Sequence, residues 1–253
     1  MVMYYIIQLH SYNSFYSILF HLSSYIPFKR MNNLLRNVME GLNMQIETFS
    51  LGPLGTNCYI VSKVDKALIF DPGGDASVVE QYVQKNKLTP LAILLTHAHY
   101  DHIGAVDRLR KLYTIDVYLH EEEVDWLENP ELNRSSFGMD EIITEAPDKI
   151  LSPGSFTLGP FEFDVVHTPG HSPGSVSFIF NHAEFTISGD VLFNRGIGRT
   201  DLPEGSIDQL VHSISTKLYT LPDTYTVYPG HGPHTIIGEE KRNNPFTLQF
   251  YRP

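Results

Sequence analysis

Residues 96–102 read Thr-His-Ala-His-Tyr-Asp-His, three histidines and an aspartate in seven positions, directly after the apolar run Leu91-Ala92-Ile93-Leu94-Leu95. An apolar run of that length suits a strand covered on both faces. A loop leaving the end of such a strand can turn several side chains onto one point, and imidazole and carboxylate are ligands for zinc, iron or manganese. In an extended segment residues two apart point the same way, so His97 and His99 can hold one metal. Asp101 and His102 fall where a helix starts and can face a second. Given this chain's composition, the pattern H-x-H-x-D-H arises by chance roughly once in a thousand such chains.

A two-metal site needs further ligands at other strand ends, and three places supply them. HTPGHSPGS (167–175) puts His171 after a Pro-Gly turn, FTISGDVLF (185–193) puts Asp190 after a strand and a glycine, and YPGHGPH (228–234) repeats that setting for His231. Glycine lets the backbone turn sharply, so each ligand can leave its strand and face a shared cleft. The isolated His10, His21, His120, His182, His212 and His234 read instead as surface or hydrogen-bonded histidines.

Working outward, Met44–Leu51, Thr56–Lys63 and Ala67–Phe70 read as strands separated by Gly-Pro and Asp-Pro-Gly-Gly turns. Helical spacing predicts helices over Ala76–Asn86, Ile103–Leu112 and Ser206–Leu218. Further strands are expected over Asp116–Leu119, Phe161–His167, Ser175–Phe180, Glu184–Ser188 and Tyr225–Tyr228, while Asn129–Pro153 has the least regular pattern. Strands and helices alternate throughout, as in an α/β fold. Residues 1–43 form a separate part in this reading, a poorly ordered N-terminal extension ahead of one domain over residues 44–253. Polar residues such as His10, Ser11, Asn13 and His21 interrupt its apolar runs well short of the roughly 18 residues that a membrane span needs.

The formal net charge of -11 opposes general affinity for nucleic acid or for an anionic membrane surface. A basic partner or a small ligand fits better. Cys58 is the single cysteine, which excludes an intramolecular disulfide and a Cys-built metal site. A cytoplasmic location is the expectation that follows.

Taken together, GPLGTNCYIV (52–61), DPGG (71–74), THAHYDHIG (96–104), HTPGHSPGS (167–175), SGDVLF (188–193), GRTDLPEGS (198–206) and YPGHGPHTIIG (228–238) resemble the metallo-β-lactamase superfamily. The resemblance covers about residues 44–240 and points to the glyoxalase II (hydroxyacylglutathione hydrolase) branch, in a short form lacking the C-terminal helical domain. It implies an αββα four-layer sandwich with two divalent metal ions at one edge, zinc first, with iron or manganese as alternatives. It assigns His97, His99 and His171 to one metal, Asp101, His102 and His231 to the other, and Asp190 as a bridge. Asp101 is also a candidate proton acceptor. His167 and Asp71 fit supporting positions that orient ligands, or equally positions that only stabilise their turns.

The implied reaction is hydrolysis of a thioester of the S-lactoylglutathione type by a hydroxide shared between the metals. Four cations, Arg195, Arg199, Lys241 and Arg242, are the candidates for binding an acidic part of the substrate; the simpler roles are pairing with Asp201 for Arg199 and solvated tail charges for Lys241 and Arg242. The rival reading is a persulfide dioxygenase of the same fold, with a single iron on His97, His171 and Asp190.

Overall fold

β2 (Thr56–Lys63) and β3 (Lys66–Phe70) carry the unbroken apolar runs Cys58-Tyr59-Ile60-Val61 and Ala67-Leu68-Ile69-Phe70. Side chains nonetheless alternate in direction along a strand, so each strand serves two cores. Tyr59, Val61, Leu68 and Phe70 enter one core, and Cys58, Ile60, Ala67 and Ile69 enter the other. The structure, a computed structural model, describes residues 44–138, 140–248 and 250, and the expected extension over residues 1–43 lies outside them.

With β1 (Gln45–Leu51), β4 (Thr89–Leu94), β5 (Asp116–His120) and β6 (Lys149–Leu151), these strands make a six-stranded sheet in the order β1-β2-β3-β4-β5-β6. Pairing is antiparallel from β1 to β3 and parallel from β3 to β6. The second half supplies β7 (Gly154–Leu158), β8 (Phe161–His167), β9 (Val176–Phe180), β10 (Phe185–Gly189), a small ribbon of β11 (Leu192–Phe193) and β12 (Gly196–Ile197), then β13 (Thr226–Pro229) and β14 (Thr235–Ile236). Its main sheet has the order β14-β13-β10-β9-β8-β7.

Phe70, Leu94, Phe161, Phe163, Phe178 and Phe180 fill the space between the two sheets, with Phe70 and Phe178 edge to face at 5.1 Å. Burying each such side chain contributes about 1.5–3 kcal/mol. On the outer face of the first sheet lie α1 (Ala76–Lys85) and, further along, α3 (Val106–Tyr113), seated through Val79, Val83, Val106 and Leu109. Against the second sheet pack α4 (Ile207–Ser213), the π-helical turn Ile214–Leu218 that continues it, and α5 (Ile237–Asn243), through Leu210, Ile214, Leu218 and Ile237. The result is the four-layer αββα sandwich. No helix among the described residues is long and apolar enough to cross a membrane.

The helix expected over Ile103–Leu112 is two helices, α2 (Tyr100–Ile103) and α3, interrupted at Gly104 and Ala105. The Ala105 N–H goes to the Pro72 carbonyl at 2.8 Å, because the Asp71–Gly74 turn packs directly against this point. A Cβ on Gly73 would stand 1.7 Å from the Asp101 carbonyl oxygen, and one on Gly104 would stand 2.5 Å from that of Gly73. Only glycines permit so close an approach. The turn after β3 thus sets where the helix bearing Asp101 and His102 begins.

Candidate metal centre

Each chemistry-bearing residue leaves the C-terminal end of a strand: Asp71 after β3, His97 after β4, His171 after β8, Asp190 after β10 and His231 after β13. In each sheet the strands concerned run the same way, β3 beside β4 in parallel, β10 beside β13 in parallel, and β8 antiparallel to an intervening β9. All seven expected ligands therefore meet at one edge of the sandwich. Three sets form there, His97–His99–His171, His97–His102–Asp190 and Asp101–His102–His231, each with its ligating atoms within 4.8 Å of one another. The crowding is tight enough that a Cβ on Gly230 would lie 2.0 Å from Asp190 Oδ1.

The tautomers follow from the outer hydrogen bonds. His171 Nδ1 donates to the Arg199 carbonyl at 2.8 Å, which leaves Nε2 as a bare acceptor. Thr96 Oγ1 donates to Asp71 Oδ2 at 2.6 Å and so receives from His97 Nδ1 at 3.0 Å, leaving His97 Nε2 bare. His102 Nδ1 donates to Asp71 Oδ2 at 3.0 Å. Asp71 thus fixes the orientation of the His102 ring directly and of the His97 ring through Thr96. Inside this ring His97 Nε2, His99 Nε2, His102 Nε2 and Asp190 Oδ1 are buried without a hydrogen-bond partner, and His99 Nδ1 stands 2.9 Å from His171 Nε2. Buried polar atoms left without a partner are costly, and a divalent cation removes that cost. The donor set, imidazoles with carboxylates and no thiolate, fits zinc, iron or manganese.

Charge divides the cluster. Burial, joined by the neighbouring histidines, holds His97 well below its ordinary pKa and His99 at about 3. Burial opposes charge on His102 too, but Asp101, Asp190 and Asp71 outweigh it and raise that imidazole well above its usual range. Burial likewise works against charge on His231, and the hydrogen bond to Asp101 and the charge of Asp190 overcome it. Asp101 stays ionised although burial resists, through His102, His231 and a 2.7 Å hydrogen bond from Thr56 Oγ1. Asp190 lies between the two groups, 3.6 Å from His171 Nε2 and 3.5 Å from both His102 Nε2 and His231 Nε2.

Behind the loops sits Glu123, fully buried in the turn after β5 (Glu121–Trp126). Burial pushes its carboxyl up to about 7, against hydrogen bonds from Ser172, Ala98 and Gly174. Nothing in the run Glu121-Glu122-Glu123 marks one acid as buried, so local sequence could not single it out. His167 donates to or accepts nothing from the cluster. Its Nε2–H goes to the Pro173 carbonyl at 2.7 Å, and its ring stacks on His120 at 4.3 Å and 12°. A cation shared by His120 and His167 would have to lie in both ring planes, which parallel planes do not allow.

A cavity of about 870 Å³ opens over the cluster, reached by His99, Asp101, His171, Asp190 and His231 and walled by apolar side chains including Leu54, Phe137, Phe193 and Leu202. Of the four cations expected to bind substrate, Arg199 lines it, held by Asp201 through two 2.8 Å hydrogen bonds. Arg195 pairs with Glu239, Lys241 with Asp223, and Arg242 with both Asp223 and Glu239, none of them on the cavity wall. Arg134 is there instead, from the irregular 129–153 stretch. Its guanidinium donates to the Glu131 and Pro203 carbonyls, and among the described residues no carboxylate lies within ion-pair distance of it. The only sequence sign was that this loop has little regular pattern of its own.

The sequence profile of the metallo-beta-lactamase superfamily matches residues 51–231, and the chain belongs to that superfamily. Within it, a probable metallo-hydrolase of Bacillus subtilis, YqgX, is 47% identical over 82% of this chain and 99% of its own length. The hydroxyacylglutathione hydrolase GloC of Haemophilus influenzae is 37% identical over 80% of this chain and 98% of its own. Two solved structures share the fold: the B3 metallo-beta-lactamase BLEG-1, 49% identical with a TM-score of 0.78, covering 80% of this chain and 99% of that one, and TTHA1623 in a di-iron-bound form, 39% identical with a TM-score of 0.73, covering 79% and 99%.

Proposed function

We propose that the chain is a dinuclear metal-dependent thioesterase, hydrolysing a small thioester of the S-lactoylglutathione type in the cytoplasm. The observation that carries this is the convergence of the unpartnered His97, His99 and His102 Nε2 atoms and Asp190 Oδ1 with His171, Asp101 and His231 beneath one cavity. His97, His99 and His171 would hold one ion and Asp101, His102 and His231 the other, with Asp190 between them, and zinc is the ion we assign. When bound, such a pair supplies hydroxide at neutral pH and a Lewis-acidic anchor for a carbonyl oxygen.

The chain's own groups do the rest. Apolar walls exclude water from around the acyl and thiol portions, while Arg134 and Arg199 face an anionic end of the substrate. Asp101, ionised and on the cavity wall, takes a proton from an incoming water. The proton then passes to the departing thiolate, whose conjugate acid has a pKa of about 8.5. A thiolate leaves without strong acid assistance, which suits a site that contains no strong acid. The likeness to GloC supports the thioester, and that to the di-iron form of TTHA1623 supports two ions.

The deciding experiment is elemental analysis of protein purified without added metal, with S-D-lactoylglutathione hydrolysis measured on the same sample. About two ions per chain with turnover, both reduced in His99→Ala, is the expected result. One iron per chain, no thioester turnover and oxygen uptake with glutathione persulfide would replace it with the single-iron dioxygenase on His97, His171 and Asp190. The likeness to BLEG-1 makes a β-lactam the control substrate, and faster turnover of that compound would move the substrate class.

A further inference from the structure

We infer that Glu123 is a positioning residue that ties together the two loops carrying His97, His99 and His171, so that these three imidazoles meet on one cation. This rests on the metal-centre reading above. Glu123 Oε2 accepts the N–H of Ala98, the residue between His97 and His99, at 2.6 Å. Its Oε1 accepts the N–H of Gly174 at 2.8 Å and the hydroxyl of Ser172, next to His171, at 2.5 Å. One carboxylate therefore holds a loop on each oxygen.

Three further features separate this from ordinary packing. Glu123 is 0% exposed, and among the described residues no cation lies within ion-pair distance, so main-chain and hydroxyl donors alone compensate it. Burying an acid without a counter-ion is expensive, and a neutral side chain would avoid the expense. The second loop comes so near that a Cβ on Gly174 would lie 2.8 Å from Glu123 Cγ. The strands below are already tied by the Val176 N–H to the Thr96 carbonyl at 2.9 Å, so what Glu123 adds is alignment of the loop tips, where the ligands are.

The acceptor arithmetic makes the test sharp. Two main-chain N–H groups point at different oxygens of Glu123, and an amide offers one acceptor oxygen. Glu123→Gln keeps the size yet must turn an NH₂ towards one of those N–H groups and release that loop. The measurement is a competition titration of the metal-stripped full chain with Zn²⁺ and a chromophoric chelator, with thermal unfolding on the same samples. The two binding steps are assigned by His99→Ala and His231→Ala. Glu123→Gln is expected to weaken the His97–His99–His171 step about 10- to 100-fold, the range for loss of a ligand-orienting partner, and to leave the other step unchanged. In the Co²⁺-loaded protein its visible absorption should change as well.

A lowered melting temperature with both steps intact would make Glu123 a structural residue and overturn the inference. If His99→Ala also leaves both steps intact, the metal-centre reading is what has failed. Should Glu123→Gln not fold, Ser172→Ala removes one of the ties to Oε1 and is expected to weaken the same step by less. No change there overturns the inference equally.

Discussion

The two halves of the metal centre are built on opposite principles. His97, His99 and His171 come from loops tied by Glu123, Thr96 and the Arg199 carbonyl, and burial keeps His97 and His99 uncharged. Asp101, His102 and His231 are laced with carboxylates, and His102 and His231 hold their protons more tightly than usual. The first half is a nitrogen site ready for a cation. In the second, protons occupy the positions that an ion would need, and metal and proton compete there.

Asp190 is the group that both halves touch, so its loss should be the most damaging single change. Asp190→Ala is expected to reduce bound zinc to at most about one ion per chain and thioester turnover by on the order of 10³-fold, by elemental analysis and steady-state rates. Near-normal metal content in this variant would mean that the halves fill independently of it.

The proton difference predicts a pH difference with a definite sign. At pH 7 the His99 pKa of about 3 lies far below ambient and His97 is lowered too, so an ion entering the first half displaces no proton from these two imidazoles. His102 and His231 are raised above their ordinary 6.5, so filling the second half releases protons. Affinity for the second ion should therefore rise about tenfold per pH unit for each proton displaced, and the first step should depend on pH less. Calorimetric titration in two buffers of different ionisation enthalpy measures this directly. Equal proton release in both steps would erase the distinction between the halves.

A smaller effect is expected from the shared support. Asp71 accepts from His102 Nδ1, from Thr96 Oγ1 and from the Thr96 N–H, and Thr96 in turn orients His97. Asp71→Asn has one acceptor oxygen where three donors converge on two. About 10- to 100-fold weaker binding is expected, larger for the half containing His102, which contacts Asp71 directly. If the His97 half suffers more, the route through Thr96 outweighs the direct bond.

Which of these features were legible in the sequence follows from what local pattern can carry. The strand ends and their Gly-ligand pairs were readable, because a metal site concentrates rare side chains at short spacing and the strands beneath them are unbroken apolar runs. The break between α2 and α3 was not, since it depends on the Pro72 carbonyl from a distant turn. Glu123 was hidden among three consecutive acids, only one of which the turn after β5 carries inside. The cations were hardest. Lys241 and Arg242 look free in the sequence, yet Asp223 takes both, a pairing that only the packing of α5 creates.

That last contrast yields the smallest and most specific prediction, between two arginines on one cavity wall. Arg199 already spends its guanidinium on Asp201 through two hydrogen bonds, so its field at the cavity is largely cancelled. Arg134 donates to carbonyls alone and keeps its full charge, in a chain whose net charge of -11 otherwise repels an anion. A charged hydrogen bond to a substrate carboxylate contributes roughly 1.5–3 kcal/mol, so Arg134→Met should raise KM for an acidic thioester by about 10- to 100-fold with kcat nearly unchanged. Arg199→Met should raise it severalfold at most, and Lys241→Met, remote from the cavity, not at all. The Arg134 effect should also shrink as salt is added and vanish for an uncharged thioester, since both remove the attraction that distinguishes it from simple loss of packing. A loss that persists with the uncharged substrate would assign Arg134 to holding the 131–134 loop against Pro203 rather than to reading the substrate.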